Sequence, residues 1–262
     1  MSSTQSAARP AHPEGADRAS RETVSFILPA HNEAESLPIL FEELRSAAKA
    51  LGRACEFVVV DDASDDGTAA WLAEEALREP RLVLVRFSRN RGQSAALAAG
   101  IQASRGEILV TLDADLQNPP ADAIPLIGAL SECDLACGVR ERRSDRWAKR
   151  AGSRVANAFR RAMLGDRFRD VGCSLKAWRR PVATSLPKFH GFHRFVPLLA
   201  EAAGYRVTEV PVRHRPRQHG ATHYGNLGRA LHGLRDLLGV AWLLRRNISD
   251  AEVAAPAVTG PR

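Results

Sequence analysis

Apolar residues along this chain come in short unbroken runs, each followed by a stretch in which they recur every third or fourth position. "VSFIL" (Val24–Leu28), "EFVVVD" (Glu56–Asp61), "LVLVRF" (Leu82–Phe87) and "EILVTLD" (Glu107–Asp113) have the length and β-branched content of buried strands. The intervening stretches, about Ala34–Leu51, Thr68–Arg78 and Gln93–Ala103, have helical periodicity. Strand and helix alternating in this way predict an α/β domain, a mostly parallel Rossmann-like sheet with helices on both faces. Ligands of such sheets bind beyond the carboxyl ends of the strands, so the residues that follow each strand carry the functional reading.

At both ends of the chain the pattern disappears. Residues 1–22 are rich in Ser, Ala, Pro and Gly, bury too little apolar surface to offset their ordering entropy, and are expected to form a disordered tail. They contain no apolar core of the kind a signal peptide carries. Residues 248–262 read the same way, leaving one expected domain over 23–226 and a helix over 227–247. That helix, "LGRALHGLRDLLGVAWLLRRN", sets Leu and Trp against Arg and is amphipathic. Lying in a bilayer interface, packing on the core and dimerisation all satisfy its pattern. Its longest apolar run, "LLGVAWLL", is far short of the roughly twenty residues a membrane span needs.

The first strand leads into "PAHNEAES", which is not a G-x-G-x-x-G fingerprint, and no phosphate-binding P-loop occurs anywhere. N-capping of the next helix accounts for Asn32 and Glu33. The second strand leads into "DDASDDGT", with Asp61 and Asp62 at the strand end and a turn through Asp66 and Gly67. The fourth leads into "DADLQNPP". Carboxylates at i and i+2 of a regular strand share a face, and buried without a counter-charge they are costly. Mg²⁺ or Mn²⁺ takes one or two carboxylates and completes its shell with phosphate oxygens and water, so Asp113 and Asp115 suggest a divalent ion and a diphosphate. Helix capping near Pro120 explains Asp115 but not an Asp113 still inside the strand.

Charge narrows the partners. The 262 residues carry a net charge of +7, and residues 138–180 alone hold fourteen Lys and Arg against four Asp and Glu, so the remainder is slightly acidic. A local excess of this kind points to an anionic partner, nucleic acid or lipid phosphate, if it is not simply a solvated face. No nucleic-acid motif is present and only 6% of residues are aromatic, which weighs against nucleic acid. "RWAKRAGSRVANAFRRAML", Arg146–Leu164, reads as a basic amphipathic helix suited to an anionic membrane surface, although core packing explains half of its pattern. Cys55, Cys133, Cys137 and Cys173 sit in or beside apolar segments and are expected as free thiols, with no zinc-ligand spacing among them.

Three acid-bearing strand ends in the order PAHNE, DDxSxDGT and DADLQ, followed by "RNRGQSAALAAGI", "GVRERR", "DVGCSLKAWRR", "HRFVPLLAEAAGYRVTEVPVRHRPR" and "GATHYG", resemble the family 2 glycosyltransferases of GT-A fold. Within these, the sequence is similar to the polyprenyl-phosphate sugar transferases, including dolichyl-phosphate mannosyltransferase and undecaprenyl-phosphate enzymes that use other sugars. The resemblance runs from about Thr23 to Asn247. It implies that Pro29, Ala30, Asn32, Glu33 and Asp61 line a nucleotide pocket with Asp62 beside it. It also implies that Asp113, Asp115 and Gln117 hold Mg²⁺ or Mn²⁺ on the donor's diphosphate, Asp113 lying close to the ribose. Arg140, Arg150 and Ser153 fall where that family binds the acceptor phosphate, which arginine can grip through two donors. "RHRPRQHGATHYG" is similar to the family's R-x-x-G-x-S-K-Y donor loop, with Thr222 for Ser and His223 for Lys, and makes Arg215, Arg217 and His223 donor contacts.

The acceptor's chemistry bears on mechanism. Transfer to a sugar hydroxyl needs a positioned general base. In related hydroxyl-transferring enzymes a downstream Glu-Asp pair supplies it, whereas the corresponding stretch here reads "HGFHRFVPLLAE". A phosphate oxygen is already ionised and needs no strong base. The resemblance therefore implies direct inverting displacement, with metal and basic residues stabilising the departing nucleoside diphosphate. Asp170 either orients the acceptor or pairs with a neighbouring arginine. GDP-mannose and UDP-sugars both remain open as donors. A hydroxyl-accepting transferase and a non-catalytic nucleotide-sugar sensor share the donor motifs. The implied placement is peripheral, on the cytoplasmic face of a membrane, with or without a separate membrane subunit.

Overall fold

The computed structural model describes residues 22–140, 161, 163–216 and 226–246. Seven strands form one sheet: β1 Val24–Ala30, β2 Cys55–Asp61, β3 Leu82–Arg86, β4 Ile108–Thr111, β5 Leu135–Arg140, β6 Lys176–Arg179 and β7 Val207–Val212, in the order β3-β2-β1-β4-β6-β5-β7. The four strands expected from the sequence are all present and parallel, with Phe26 opposite Phe57 on β2 and Val110 on β4. β6 is the exception, pairing antiparallel with both β4 and β5.

The described helices are α1 Leu37–Leu51, α2 Thr68–Arg78, α3 Gln93–Ala103, α4 Ala123–Ala129, α5 Arg180–Ser185, α6 Val196–Ala202 and α7 Asn226–Arg246. Both sheet faces are apolar because both are covered, and strand alternation sends neighbouring residues to opposite cores. Phe26, Leu28, Phe57 and Val59 join Leu40, Phe41 and Leu44 of α1 in one cluster, while Ile27, Val58, Leu109 and Trp178 join Leu97 and Ile101 of α3 in the other. Phe41 makes edge contacts with Phe57 and Trp71 at centroid distances of 5.8 and 5.2 Å, a favoured aromatic geometry. On the second face α3 lies so close to β1 that a Cβ at Gly100 would collide with Ile27 Cγ2.

Several boundaries shift by one to three residues, and two of the shifts bear on the site, each for a local reason. Helix α1 begins at Leu37 rather than Ala34. The preceding residues form a turn in which the Glu33 carbonyl accepts the Ser36 and Leu37 N–H groups, and Asn32 is left-handed with φ 58° instead of capping a helix. Strand β4 ends at Thr111, so Asp113 lies beyond it. Strand alternation therefore does not pair Asp113 with Asp115. Leu116 is buried with φ 63°, and this left-handed step turns the chain within the acidic segment. A non-glycine residue held there costs on the order of 1–3 kcal/mol, and the burial of the leucine side chain offsets it.

In α7, Leu237, Val240 and Ala241 are buried while Leu238 and Trp242 are 54% and 60% exposed. The buried face is thus accompanied by outward-facing apolar side chains. No helix among the described residues is long and apolar enough to cross a membrane. Cys133, Cys137 and Cys173 are buried free thiols and Cys55 is half-buried and free. The Arg146–Leu164 helix expectation falls largely outside the described residues.

Candidate active site

The loops after β1 and β2 are tied to one another. Asn32 and Asp65 exchange hydrogen bonds, Asn32 Nδ2 to Asp65 Oδ1 at 2.8 Å and Asp65 N–H to Asn32 Oδ1 at 3.0 Å. The Asn32 N–H donates to Ser64 Oγ and the Glu33 N–H to Thr68 Oγ1. Asp61, fully buried, accepts the Ser64 N–H through Oδ1 at 2.9 Å, and its Oδ2 lies 3.2 Å from Arg86 Nε without a hydrogen-bonding alignment. A shallow open cavity beside it is lined by Ala63, Ser64, Arg86, Phe87 and Ser88. Pro29, Ala30, Asn32, Glu33 and Asp61 therefore gather on one edge of the sheet, as the sequence suggests. Asp62, next along the chain, has its carboxylate anchored. Its two oxygens accept the Arg91 and Gly92 N–H groups at 2.6 and 2.7 Å, fixing the entrance to α3.

The acidic segment lies next to this edge. Asp113 accepts a hydrogen bond from Gln93 Nε2 at 2.7 Å, and its own N–H donates to Ser174 Oγ at 3.3 Å. Asp115 accepts the Gln117 N–H at 3.2 Å. Burial, followed by the neighbouring Asp115 charge, pushes the Asp113 carboxyl up to about 6. Two acids that resist ionising together suit a divalent cation, which would remove that penalty. Among the described residues no group of three or more His, Cys, Asp or Glu forms a ready-made metal cage. The donor set of two carboxylates and the Gln117 amide instead fits a hard ion that draws its remaining ligands from phosphate and water.

The basic half of the site is more constrained than its sequence suggests. Asp170 forms a two-pronged pair with Arg140, Nε to Oδ2 at 2.6 Å and Nη2 to Oδ1 at 2.7 Å, and also accepts the Arg140 N–H. The arginine-paired reading of Asp170 is the one the geometry matches, and the fork of Arg140 is spent on it. Arg215 is likewise engaged, through Nη1 to Glu43 Oε1 at 2.6 Å, while its N–H donates to the Gln117 carbonyl. Arg213 forms a comparable two-pronged pair with Asp122. These pairs strap the chain after β7 to α1 and to the acidic segment. Arg150, Ser153, Arg217 and His223 lie outside the described residues.

Between Asp113 and the C-terminal half opens a cavity of about 940 Å³. Thr111 and Lys176 are on its floor strands, Ser94 and Leu97 come from α3, and His193 and Asp236 close it from the far side. Ser94 Oγ accepts the Gly191 N–H and lies 2.8 Å from His193 Nδ1. Burial, then Arg194 and Lys176, hold the His193 imidazole down to about 3, so it is neutral at physiological pH. Sequence reading gave no role to Lys176, Ser94 or His193. Their spacing offered no signal, because the contacts span up to 99 positions.

Comparison with known proteins agrees with this architecture. The model of glycosyl transferase family 2 matches residues 25–184. The chain is 38% identical over 204 residues to an undecaprenyl-phosphate 4-deoxy-4-formamido-L-arabinose transferase of Edwardsiella ictaluri, covering 77% of this chain and 63% of the relative. A Salmonella paratyphi B protein of the same name is 35% identical over 210 residues, covering 79% and 64%. The chain thus spans a little under two thirds of the curated relatives it matches. Among solved structures, UDP-bound glucosyl-3-phosphoglycerate synthase from Mycobacterium tuberculosis superposes with a TM-score of 0.63 at 22% identity, covering 90% of this chain and 86% of that one. A mannosyltransferase from Pyrobaculum calidifontis in complex with GDP-Man and Mn²⁺ superposes with a TM-score of 0.55 at 20% identity, covering 92% and 77%. These likenesses show the shared GT-A fold.

Proposed function

Because the chain belongs to glycosyl transferase family 2, we propose that it moves a glycosyl group from a nucleotide-sugar to a polyprenyl phosphate at the cytoplasmic face of a membrane. The observation that carries this reading is the placement of Asp113 and Asp115 beside the gathered ends of β1 and β2, on the edge where such sheets bind ligands. The relatives named for undecaprenyl-phosphate transfer support the acceptor class.

In this reading Pro29, Ala30, Asn32, Glu33 and Asp61 receive the nucleoside, and Asp62 keeps the α3 entrance in place. Asp113, Asp115 and Gln117 would hold Mg²⁺ or Mn²⁺, whose charge would favour departure of the diphosphate. Arg215, Arg217 and His223 are donor contacts, Arg215 after release from Glu43. An ionised acceptor phosphate attacks the anomeric carbon and needs no strong base. Asp170 is thereby a positioning residue that holds Arg140, while Arg150 and Ser153 complete the acceptor contacts. The exposed Leu238 and Trp242, with Arg245 and Arg246 in the last turn of α7, suit insertion at an anionic interface. Vesicle sedimentation of the isolated chain reports directly whether this contact suffices without a membrane subunit.

The test is nucleoside diphosphate release from GDP-mannose and a panel of UDP-sugars, with Mn²⁺ or EDTA, with and without a polyprenyl phosphate. Release should require both metal and lipid phosphate, and Asp115→Ala should lower it by at least about 100-fold, the scale of several kcal/mol of charge stabilisation. Release stimulated by an oligosaccharide and not by lipid phosphate would replace the acceptor assignment with a hydroxyl one. Donor binding without any turnover would leave a nucleotide-sugar sensor.

A further inference from the structure

Lys176 is the first residue of β6, placed opposite Thr111 on β4 and Cys137 on β5, and only 3% of it is exposed. Its ammonium donates to the Cys173 carbonyl and, among the described residues, is within salt-bridge distance of no carboxylate. Asp113 is near enough to feel this charge without touching it, and a buried ammonium with no direct ion-pair partner is costly, so proteins usually pair it or reserve it for a ligand. Lys176 borders the large cavity together with Asp113 and Ser174.

Two of the other cations nearby have carboxylate neighbours. Arg140 spends its fork on Asp170, and Arg194 lies 3.9 Å from Asp236 across the cavity wall. His193 is neutral for the reason given above. A phosphate monoester entering this space would meet Asp113 as a repulsive charge, the Arg194–Asp236 pair as charges that largely cancel, and Lys176 as a buried cation that feels Asp113 but has no carboxylate at salt-bridge distance among the described residues. The volume, about 940 Å³, admits a glycosyl group and a phosphate head together.

We propose that Lys176 is a phosphate-binding residue for the acceptor, gripping the lipid phosphate head inside the cavity between Asp113 and His193. This rests on the transferase reading above and adds a buried cation to the acceptor contacts named there. In the step itself, one ionised phosphate oxygen forms a bond to the anomeric carbon as the bond from that carbon to the donor diphosphate breaks. The electron pair of the broken bond leaves on the nucleoside diphosphate, and no proton has to be removed. The ammonium meets the acceptor at its greatest negative charge, before the new ester forms, so its contribution falls on acceptor binding more than on turnover. The donor's own diphosphate is the other phosphate that could use this cation, and the two are separable by experiment.

Farnesyl phosphate and farnesol serve as acceptor probes and Mn²⁺–UDP as the donor-side probe, on wild type, Lys176→Met and Lys176→Gln. The glutamine variant keeps a donor for the Cys173 carbonyl and covers the case in which the methionine variant does not fold. Loss of a charged hydrogen bond should raise the KM for farnesyl phosphate about 10- to 100-fold with kcat nearly unchanged. Mn²⁺–UDP affinity and the weak binding of farnesol should not move. An unchanged farnesyl phosphate KM, or an equal loss of Mn²⁺–UDP affinity, overturns the assignment to the acceptor. If wild type binds Mn²⁺–UDP but does not distinguish farnesyl phosphate from farnesol, the lipid-phosphate reading fails and Lys176 falls with it. If wild type distinguishes them and Lys176→Gln does so equally, only the role of Lys176 is lost.

Discussion

Replacing Asp170 by Asn should destabilise the fold far more than removing both members of its pair. The Arg140 and Asp170 side chains are 14% and 11% exposed, and two parallel hydrogen bonds of 2.6 and 2.7 Å join them. Taking the charge from Asp170 leaves the guanidinium half-satisfied in a poorly solvated place. The usual cost of breaking such a pair is about 3–5 kcal/mol, and asparagine, which retains one acceptor oxygen, belongs at the lower end. For a domain of this size about 3 kcal/mol corresponds to a fall in melting temperature of about 6–12 °C. Arg140→Met alone, which strands the carboxylate, should cost a similar amount. The double variant R140M/D170N carries neither charge and should return to within about 1–2 kcal/mol of wild type, because buried pairs and their neutral replacements often have similar stability. Thermal melts of the four proteins at pH 7 give the coupling energy directly. Simple addition of the two single losses in the double variant would refute the argument and with it the claim that Asp170 acts by holding Arg140.

Two further outcomes follow from other parts of the fold. Glu79 is buried and accepts hydrogen bonds from Arg81 and Arg45, which hold its carboxyl down to about 2 from an ordinary 4.5. A depressed acid stabilises the fold above its unfolded pKa, so this contribution is complete above pH 4.5 and is lost as pH falls toward 2. Its ceiling is about 3 kcal/mol, reduced by the partial exposure of both arginines. Denaturant unfolding should show wild type and Glu79→Gln converging as the pH is lowered through that window, and a constant difference would sink the assignment. Gly100→Ala should lower stability by about 1–3 kcal/mol, because the added methyl meets Ile27 Cγ2 on a strand that cannot retreat. A melting temperature equal to wild type would show that α3 is free to move outward.

The first four strands and three helices were legible in the sequence because each parallel unit carries its own apolar run and its own period. The gathering of Pro29, Asn32, Glu33 and Asp61 followed from the rule that functional loops succeed the strands. The anchoring of Asp62 was not legible, because its partners, the Arg91 and Gly92 N–H groups, lie about thirty positions away and leave no trace in local pattern. The acidic pair was read as strand geometry, whereas a left-handed Leu116 shapes its segment. Lys176, although inside the quoted "DVGCSLKAWRR", was given no role for a topological reason. A lysine between Leu175 and Ala177 looks like the solvent face of a strand, and it becomes buried only when that strand is inserted between β4 and β5.

The reversed strand β6 also marks a seam in heredity. Everything proposed to recognise the donor nucleoside and hold the metal, apart from the strap after β7, precedes residue 118, and everything proposed to hold the acceptor follows residue 135. In sequence α4 and its flanking turns link the two, and in space they are joined by the four-residue β4–β6 ladder, by side-chain ties such as Asn118 with Arg213, and by a shared core in which Ile27, Leu97 and Leu109 pack with Leu135, Trp178 and Val182. A crossover within α4 between two family members would therefore exchange one proposed recognition and leave the other whole only where the shared core residues, Ile27, Leu109 and Trp178 among them, still match. On the proposed reading, lipid choice and sugar choice can then diverge within a single chain only as far as that common core allows.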